Sequence, residues 1–365
     1  MYAFDSWKLS RARLGDDSDA GGKLLAHTEV TMQSLLAALL GVGLLVASGP
    51  AWSQTVAGSM DVHWNKGAKD CSASPQAPIE VHPYNPQTFI LRENLCATFE
   101  APFMYLLIGS TEALLIDTGD VAGPNQMPLA TTVMHLLPGN ETAKLPLLVV
   151  HTHRHLDHRA GDGQFAHLSN GQVVGFDIDS VRRYYHFTDW PNGLAQINLG
   201  DRMVDVIPTP GHDETEVSFY DRNTGLFFSG DFLLPGRLLI EDANADLASA
   251  KRVAAFVKDL PLSYVLGGHI ELDAAGEAFP ERSHYHPNEH VLQMSKEDLL
   301  ALPAAVSSFN GFYSRSGKFI LSNPVHNLSV VAVFSLLVLF ALVLALVRCI
   351  RWRRGRRKHG AVVHG

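Results

Sequence analysis

Along most of this chain apolar residues come in short bursts separated by polar or glycine-containing turns. Bursts of that length are the texture of strands buried on both faces. From Thr88 they occupy 89–91, 104–108 and 113–116, with Gly109-Ser110 as a hairpin turn between the last two. Positions 129–137 instead repeat at helical spacing and stop at Pro138-Gly139. A buried-type strand follows at 147–150, then strands at 203–208, 217–220 and 226–229, an amphipathic helix over 247–260 and a strand at 264–266. Strands run in two batches, each followed by helix. That order predicts an α/β layered sandwich, sheets inside and helices outside.

Two apolar runs are longer. The first, 328–347, reads LSVVAVFSLLVLFALVLALV, and about 20 uncharged residues are the length of a transmembrane helix. Arg348, Arg351, Arg353, Arg354, Arg356, Arg357 and Lys358 follow directly. The positive-inside bias then places the basic tail, 348–365, in the cytoplasm and everything before 328 on the extracytoplasmic (periplasmic) side of a lipid bilayer. The second run, 35–47, ends in Ser-Gly-Pro, and Ala51-Trp52-Ser53 offers small residues for signal-peptide cleavage before Gln54. Two readings of 1–53 stay open. Either Met32 is the true start of a cleaved signal peptide, or 35–47 is a retained anchor with Lys8, Arg11, Arg13 and Lys23 inside. Both put 60–325 outside the cytoplasm. Residues 54–84, rich in Ser, Ala, Pro, Gly and Asn, read as a linker. A folded domain is expected over 85–305 and a connector over 306–327.

Composition narrows the class further. The chain has 365 residues, 46% hydrophobic and 18% charged, enough for one large domain with a sizeable core. Net charge is −8, of which the tail cluster contributes +7, so the remainder carries −15. A body so acidic repels polyanions, which speaks against a nucleic-acid partner. Of three cysteines, Cys71 and Cys96 precede the dense motif region and Cys349 lies among the tail arginines. In an oxidising compartment Cys71 and Cys96 either pair or stay free, and spacing does not decide between these.

The chemistry is carried by His153-Arg154-His155-Leu156-Asp157-His158, directly after the strand at 147–150. Four ligand-type side chains in six residues cannot be buried without charged partners. Imidazole and carboxylate together suit zinc. Three more residues of ligand type each follow a glycine at a predicted strand end: His212 after Pro210-Gly211, Asp231 after Ser229-Gly230, and His269 after Gly267-Gly268.

Together with Ile116-Asp117-Thr118-Gly119, these motifs resemble the metallo-β-lactamase-fold hydrolase superfamily, in order, over roughly 85–305. The resemblance implies a four-layer αββα sandwich with the site at one edge. It also implies two zinc ions, with iron or manganese as alternatives. His153, His155 and His212 would hold one ion, Asp157, His158 and His269 the other, and Asp231 would bridge them. Asp117 is expected behind the ligands, fixing a loop or a ligand histidine. Such a pair of ions lowers the pKa of a shared water toward ~7, and the resulting hydroxide, oriented by Asp157, attacks a carbonyl carbon. The aspartate at 231, where zinc β-lactamases carry cysteine or serine, points to thioesterases of the glyoxalase II kind, lactonases and related ester hydrolases. The expected substrate is thus a small ester, thioester, lactone or amide.

Several residues depart from the common pattern or stand beside it. Arg159 replaces a glycine and is expected to crowd the helix that follows, while Arg154 and Leu156 are expected to narrow the mouth of the site. Asp213-Glu214-Thr215-Glu216 makes that side acidic. Tyr285 and His286, within His284-Tyr285-His286-Pro287-Asn288-Glu289-His290, are candidate pocket residues able to donate to an oxyanion, with a plain polar loop as the alternative. Three other function classes share the ligand set: a mononuclear iron persulfide dioxygenase, a phosphodiesterase, and a non-catalytic membrane sensor.

Overall fold

The computed structural model describes residues 55–140 and 143–360, without the side chains of 355–360. The expectations for 1–53 lie outside the described residues. In chain order the strands begin with β1 (Ile79–Asn85), β2 (Thr88–Glu93), β3 (Phe103–Ile108) and β4 (Ala113–Ile116). Helix α1 (Leu129–Leu136), a small hairpin of β5 (Gly139–Asn140) and β6 (Ala143–Lys144), β7 (Leu147–Val150), β8 (Gly171–Val173) and α2 (Ile178–Tyr184) follow. The second half has β9 (Ala195–Asn198), β10 (Met203–Pro208), β11 (Val217–Asp221), β12 (Leu226–Gly230), β13 (Arg237–Leu239), α3 (Ala243–Val257) and β14 (Tyr264–Gly267). It closes with β15 (Gln293–Met294), α4 (Lys296–Ser307), β16 (Tyr313–Ser316), β17 (Phe319–Ser322) and α5 (Pro324–Gly360).

One six-stranded sheet has the order β1-β2-β3-β4-β7-β8, and the other has β15-β14-β12-β11-β10-β9. The period-2 alternation of a strand sends successive side chains to opposite faces, and the cores sort by it. In β3, Phe103, Tyr105 and Leu107 enter the core between the sheets, whereas Met104, Leu106 and Ile108 enter a second core that includes Leu129 and Val133 of α1. Likewise Leu226 and Phe228 of β12 face the central core, and Phe227 faces a third core shared with α3 and α4. Three cores separate four layers in the order α, β, β, α. Both faces of the central strands are buried, which explains their near-continuous apolar sequences.

The helices stop and start for local reasons. Leu137, before Pro138, is extended as a pre-proline residue must be, and α1 ends there. Helix α3 starts earlier than the apolar spacing from 247 indicates, because the Asp242 carboxylate accepts from the backbone N–H groups of Asn244 and Ala245.

Two segments expected to be loose are ordered. Within 54–84, β1 forms the edge of the first sheet, its exposed positions alternating with half-buried ones. Within 306–327, β16 and β17 join β13 in a three-stranded sheet that buries Phe319, Ile320 and Leu321. Each was masked by polar or proline-containing flanks. Cys71 and Cys96 are joined as a disulfide.

Helix α5 contains a stretch, Pro324–Arg354, long and apolar enough to cross a membrane, with an 18-residue window of mean hydropathy 3.2, none of it buried. The Ser329 and Ser335 hydroxyls donate to the carbonyls of Val325 and Val331, four residues back, both at 2.8 Å. These bonds leave no hydroxyl donor to be satisfied by water.

The disulfide closes a loop with a sequence separation of 25, worth roughly 3 kcal/mol on chain-entropy grounds. Replacing both cysteines by serine is expected to lower unfolding stability by about that amount. Denaturant titration of the variant against the parent protein measures it.

Candidate metal centre

The site lies where the chain leaves the C-terminal ends of several strands, the usual position for a site in sheets with parallel neighbours. β4 runs parallel to β7 in one sheet and β12 parallel to β14 in the other. β4 delivers Asp117, β7 the 151–158 segment, β12 Asp231 and β14 His269, while the β10–β11 connection carries His212. The sheets are held together here by the Tyr105 hydroxyl, which donates to the carbonyl of Gly267 at 2.5 Å.

All seven predicted residues converge. His153, His155 and His212 form one group and Asp157, His158 and His269 another, with the donor atoms of each group within 4.8 Å of one another. A third group of the same tightness, His153, His158 and Asp231, joins them. Asp231 faces both sides: Oδ1 is 3.5 Å from His158 Nε2 and 3.6 Å from His269 Nε2, and Oδ2 is 3.7 Å from His212 Nε2. Asp157 Oδ2 lies 3.6 Å from His158 Nε2 and 3.4 Å from His269 Nε2.

Three histidines are oriented from behind. His158 Nδ1 lies 2.9 Å from Asp117 Oδ2, His212 Nδ1 is 2.7 Å from the Leu239 carbonyl, and His269 Nδ1 is 2.8 Å from the Glu100 carbonyl. Donation through Nδ1–H leaves each Nε2 lone pair for the centre. Asp117 also accepts from the Thr152 N–H at 2.7 Å and the Thr152 hydroxyl at 2.9 Å, and holds a left-handed backbone at φ 66°.

The donor set fits metal ions on two observations. Asp231 Oδ1 is buried without a hydrogen-bond partner, a costly state for a carboxylate oxygen unless a cation compensates it. Imidazole nitrogens also face each other: His153 Nε2 to His155 Nδ1 at 2.9 Å, His155 Nδ1 to His212 Nε2 at 3.0 Å, and His158 Nε2 to His269 Nε2 at 3.2 Å. Around a tetrahedral zinc with Zn–N of about 2.0–2.1 Å, two nitrogens sit about 3.3–3.4 Å apart. The observed spacings are within a few tenths of that. Gly268 is required beside them, since a Cβ there would stand 2.5 Å from Asp231 Oδ1 and 2.8 Å from His158 Cε1.

The electrostatics of the protein alone point the same way. Burial would lower the basicity of His269, but Asp231 and Asp157 outweigh it and hold the imidazolium up to about 10. Burial would likewise raise the Asp157 acid, yet His158 and His269 keep it well below the carboxylate range. His153 goes the other way, made less basic by burial and by the neighbouring His158 and His212.

Residues outside the seven behave less uniformly. His286 lines a cavity of about 300 Å³ that also has His269 in its wall. Tyr285 does not line it. Its ring lies 5.9 and 5.7 Å from the Lys66 and Lys69 ammonium groups, because neighbours on an extended segment point opposite ways. Arg159 does not crowd the following 3₁₀ turns. It turns outward, its guanidinium 3.8 Å over Phe176. Arg154 pairs with Asp213 at 2.9 Å and with Glu214, so the acidic stretch after His212 is partly neutralised. Thr152 and the Leu239 and Glu100 carbonyls had no sequence signal as site residues, and backbone acceptors never have one.

The seven residues and Asp117 fall within 97–269, the segment matched by the profile of the family described as the metallo-beta-lactamase superfamily. Over that segment, a little under half of its length, the chain is similar to the metallo-β-lactamase superfamily. Relatives from that superfamily are hydrolases by name. One superfamily relative, "Acyl-coenzyme A thioesterase MBLAC2" of Homo sapiens, is 26% identical over 233 residues, 54% of this chain and 83% of that protein. Another, "Hydroxyacylglutathione hydrolase" of Aeromonas hydrophila subsp. hydrophila, is 28% identical over 166 residues, 44% of this chain and 59% of that protein. A solved "Metallo-beta-lactamase from Pontibacter korlensis" aligns at 14% identity and TM-score 0.44, over 63% of this chain and 100% of that one.

Replacing Asp117 by asparagine keeps a residue that tolerates the left-handed backbone but weakens the support of His158. Metal affinity is expected to fall about 10–100-fold, read by competition with a chromogenic chelator. An unchanged affinity removes Asp117 from the centre.

Proposed function

We propose that this protein is a dinuclear zinc hydrolase of a small acyl compound, working on the extracytoplasmic side of a membrane that its C-terminal helix crosses. One zinc would be held by His153, His155 and His212, the other by Asp157, His158 and His269, with Asp231 bridging. The observation that carries the reading is the position of Asp231, whose two oxygens face the two histidine groups while Oδ1 lacks any other partner. One relative is named as a thioesterase and another as a hydrolase of an acylglutathione. Thioesters are therefore the first bond class to test, followed by esters, lactones and amides.

Bound zinc ions supply water activated at neutral pH and a Lewis acid for the carbonyl oxygen. The chain's own contribution is to hold and orient. Asp157, whose carboxylate lies beside His158 and His269, would accept a hydrogen bond from the attacking water and fix its direction. Asp117 keeps the His158 Nδ1 proton on the outer side of the ring, so that Nε2 stays available.

The membrane placement is supported by two features. Pro324–Arg354 is long enough and apolar enough, and the basic residues begin at its end, the mark of a cytoplasmic flank. The Cys71–Cys96 disulfide suits an oxidising compartment on the opposite side.

Zinc-loaded full-length protein in detergent is expected to hydrolyse acyl thioesters and to lose activity at least 1,000-fold on chelation or on His155→Ala or Asp231→Ala, given that metal-site chemistry supplies several kcal/mol. Bound metal and turnover are measured together. One iron per chain with oxygen uptake, or turnover surviving both substitutions, overturns the reading.

Topology has its own test, because Cys349 is exposed and is the free cysteine among the described residues. In sealed spheroplasts a membrane-impermeant maleimide is expected to leave it unlabelled, and to label it once the membrane is opened. Labelling of intact spheroplasts would reverse the orientation.

A further inference from the structure

The 283–290 loop carries an ordered pair of side chains that the metal centre does not use. His286 is 6% exposed, and its ring stacks on Phe279 with centroids 4.1 Å apart and planes inclined by 3°. Its Nδ1 is 3.1 Å from Glu289 Oε1. Glu289 is gripped in turn by the Arg92 guanidinium through two bonds of 2.7 Å. Burial would raise the Glu289 acid, but Arg92 outweighs it and keeps the carboxylate ionised. Arg92 is itself buried, 5.0 Å over the Phe103 ring. An imidazole held at Nδ1 by a fixed carboxylate is oriented to exchange its other proton.

The position of this pair is also fixed from outside. Gly67 bridges antiparallel to Tyr285, the His286 N–H donates to the Lys66 carbonyl at 2.8 Å, and the Ala68 N–H donates to the His284 carbonyl at 3.0 Å. Only glycine fits at 67, since φ is 69° and a Cβ would stand 2.0 Å from the His284 carbonyl oxygen. Cys71–Cys96 staples this strap to the segment following β2.

His286 and His269 line the same cavity of about 300 Å³, whose walls include Phe99, Ile270 and Phe279. Among the described residues nothing bonds His286 Nε2. The other cavity that His286 borders holds Glu289, which takes the Nδ1 side of the ring. The opposite edge of the ring is thereby left for the cavity next to the metal centre. A group there has no part in holding metal. Because it shares a cavity wall with His269, a substrate that met the centre with its acyl carbon and filled this cavity with its leaving group would bring that group toward His286.

We infer that His286, oriented by Glu289, is a further catalytic residue that protonates the leaving group, extending the enzyme from thioesters to esters and lactones with basic alkoxide leaving groups. This rests on the hydrolase reading above. Water contributes its oxygen to the acyl carbon, and the bond from that carbon to the leaving atom breaks with its electron pair on the leaving atom. That atom takes the proton from His286 Nε2. The proton shed by the water restores the imidazolium. A thiolate leaves readily without this help and an alkoxide does not, so the contribution grows with the basicity of the leaving group.

The test uses full-length zinc-loaded protein and one acyl group on a series of leaving groups, from aromatic thiols through phenols to simple alcohols. His286→Phe keeps the ring stack with Phe279, and His286→Gln keeps a donor that cannot release its proton. Both are expected to lose at least 100-fold in kcat/KM on alkyl esters, the scale of general acid catalysis. The loss on thioesters is expected to be only several-fold, so that dependence on leaving-group basicity steepens. Uniform loss across the series, or no change, overturns the inference and leaves the hydrolase reading standing. Loss of bound zinc in both variants makes His286 structural and also overturns it. Absence of turnover by the parent protein on every substrate overturns the hydrolase reading and this inference together.

Discussion

Two carboxylates, Asp157 and Asp231, sit half-buried among five histidines, and their charge has to be compensated where they are. Isolated anions in such surroundings would cost several kcal/mol each. Within the protein alone these carboxylates hold the His158 and His269 imidazoliums up, and divalent ions would compensate more fully, because they would also engage the nitrogens of His153, His155 and His212. Much else in the architecture serves this demand. Parallel strand pairs in both sheets end at the same edge, so that short loops with little conformational freedom present the donors. Behind them, Asp117 and the Leu239 and Glu100 carbonyls fix which nitrogen of His158, His212 and His269 points inward.

The framework was readable because its strands are buried on both sides. A run such as Phe103 to Ile108 has no polar face, and alternate residues fill two different cores. The same burial makes the loops after β7, β12 and β14 stand out, since His153, Asp231 and His269 are polar residues at the ends of apolar runs. The seven side chains that converge were legible for that reason. Its partners in the outer shell were legible only where a side chain supplies them. Asp117 has a motif around it, whereas a carbonyl contributed by Leu239 or Glu100 can follow any residue type.

What the sequence concealed lies at the margins of the domain. β1 and β16 have polar or proline-containing sequences and gain their order by pairing with strands already in place. Pairing of that kind is tertiary, and local composition does not encode it. The same holds for the charges after His212. Read in a row, Asp213, Glu214 and Glu216 form an acidic lip. In three dimensions Arg154, from the metal-binding loop itself, takes up Asp213 and Glu214, and Glu216 is fully buried. Net charge over a short segment is thus a poor guide to the potential a substrate meets.

These marginal segments bear on chemistry as well as on stability. The strap at 66–68 carries the loop that places His286, and a disulfide holds the strap. A thiol-rich compartment would loosen that attachment, while an oxidising one maintains it. In the proposed topology, the basic flank of α5 would put the domain on the side where the bond persists. The helix and the disulfide thus point to the same compartment through unrelated physics, one through the positive-inside bias of a basic flank and the other through redox potential. A domain turned to the cytoplasmic face would retain the seven central residues but risk the geometry of the cavity wall beside them.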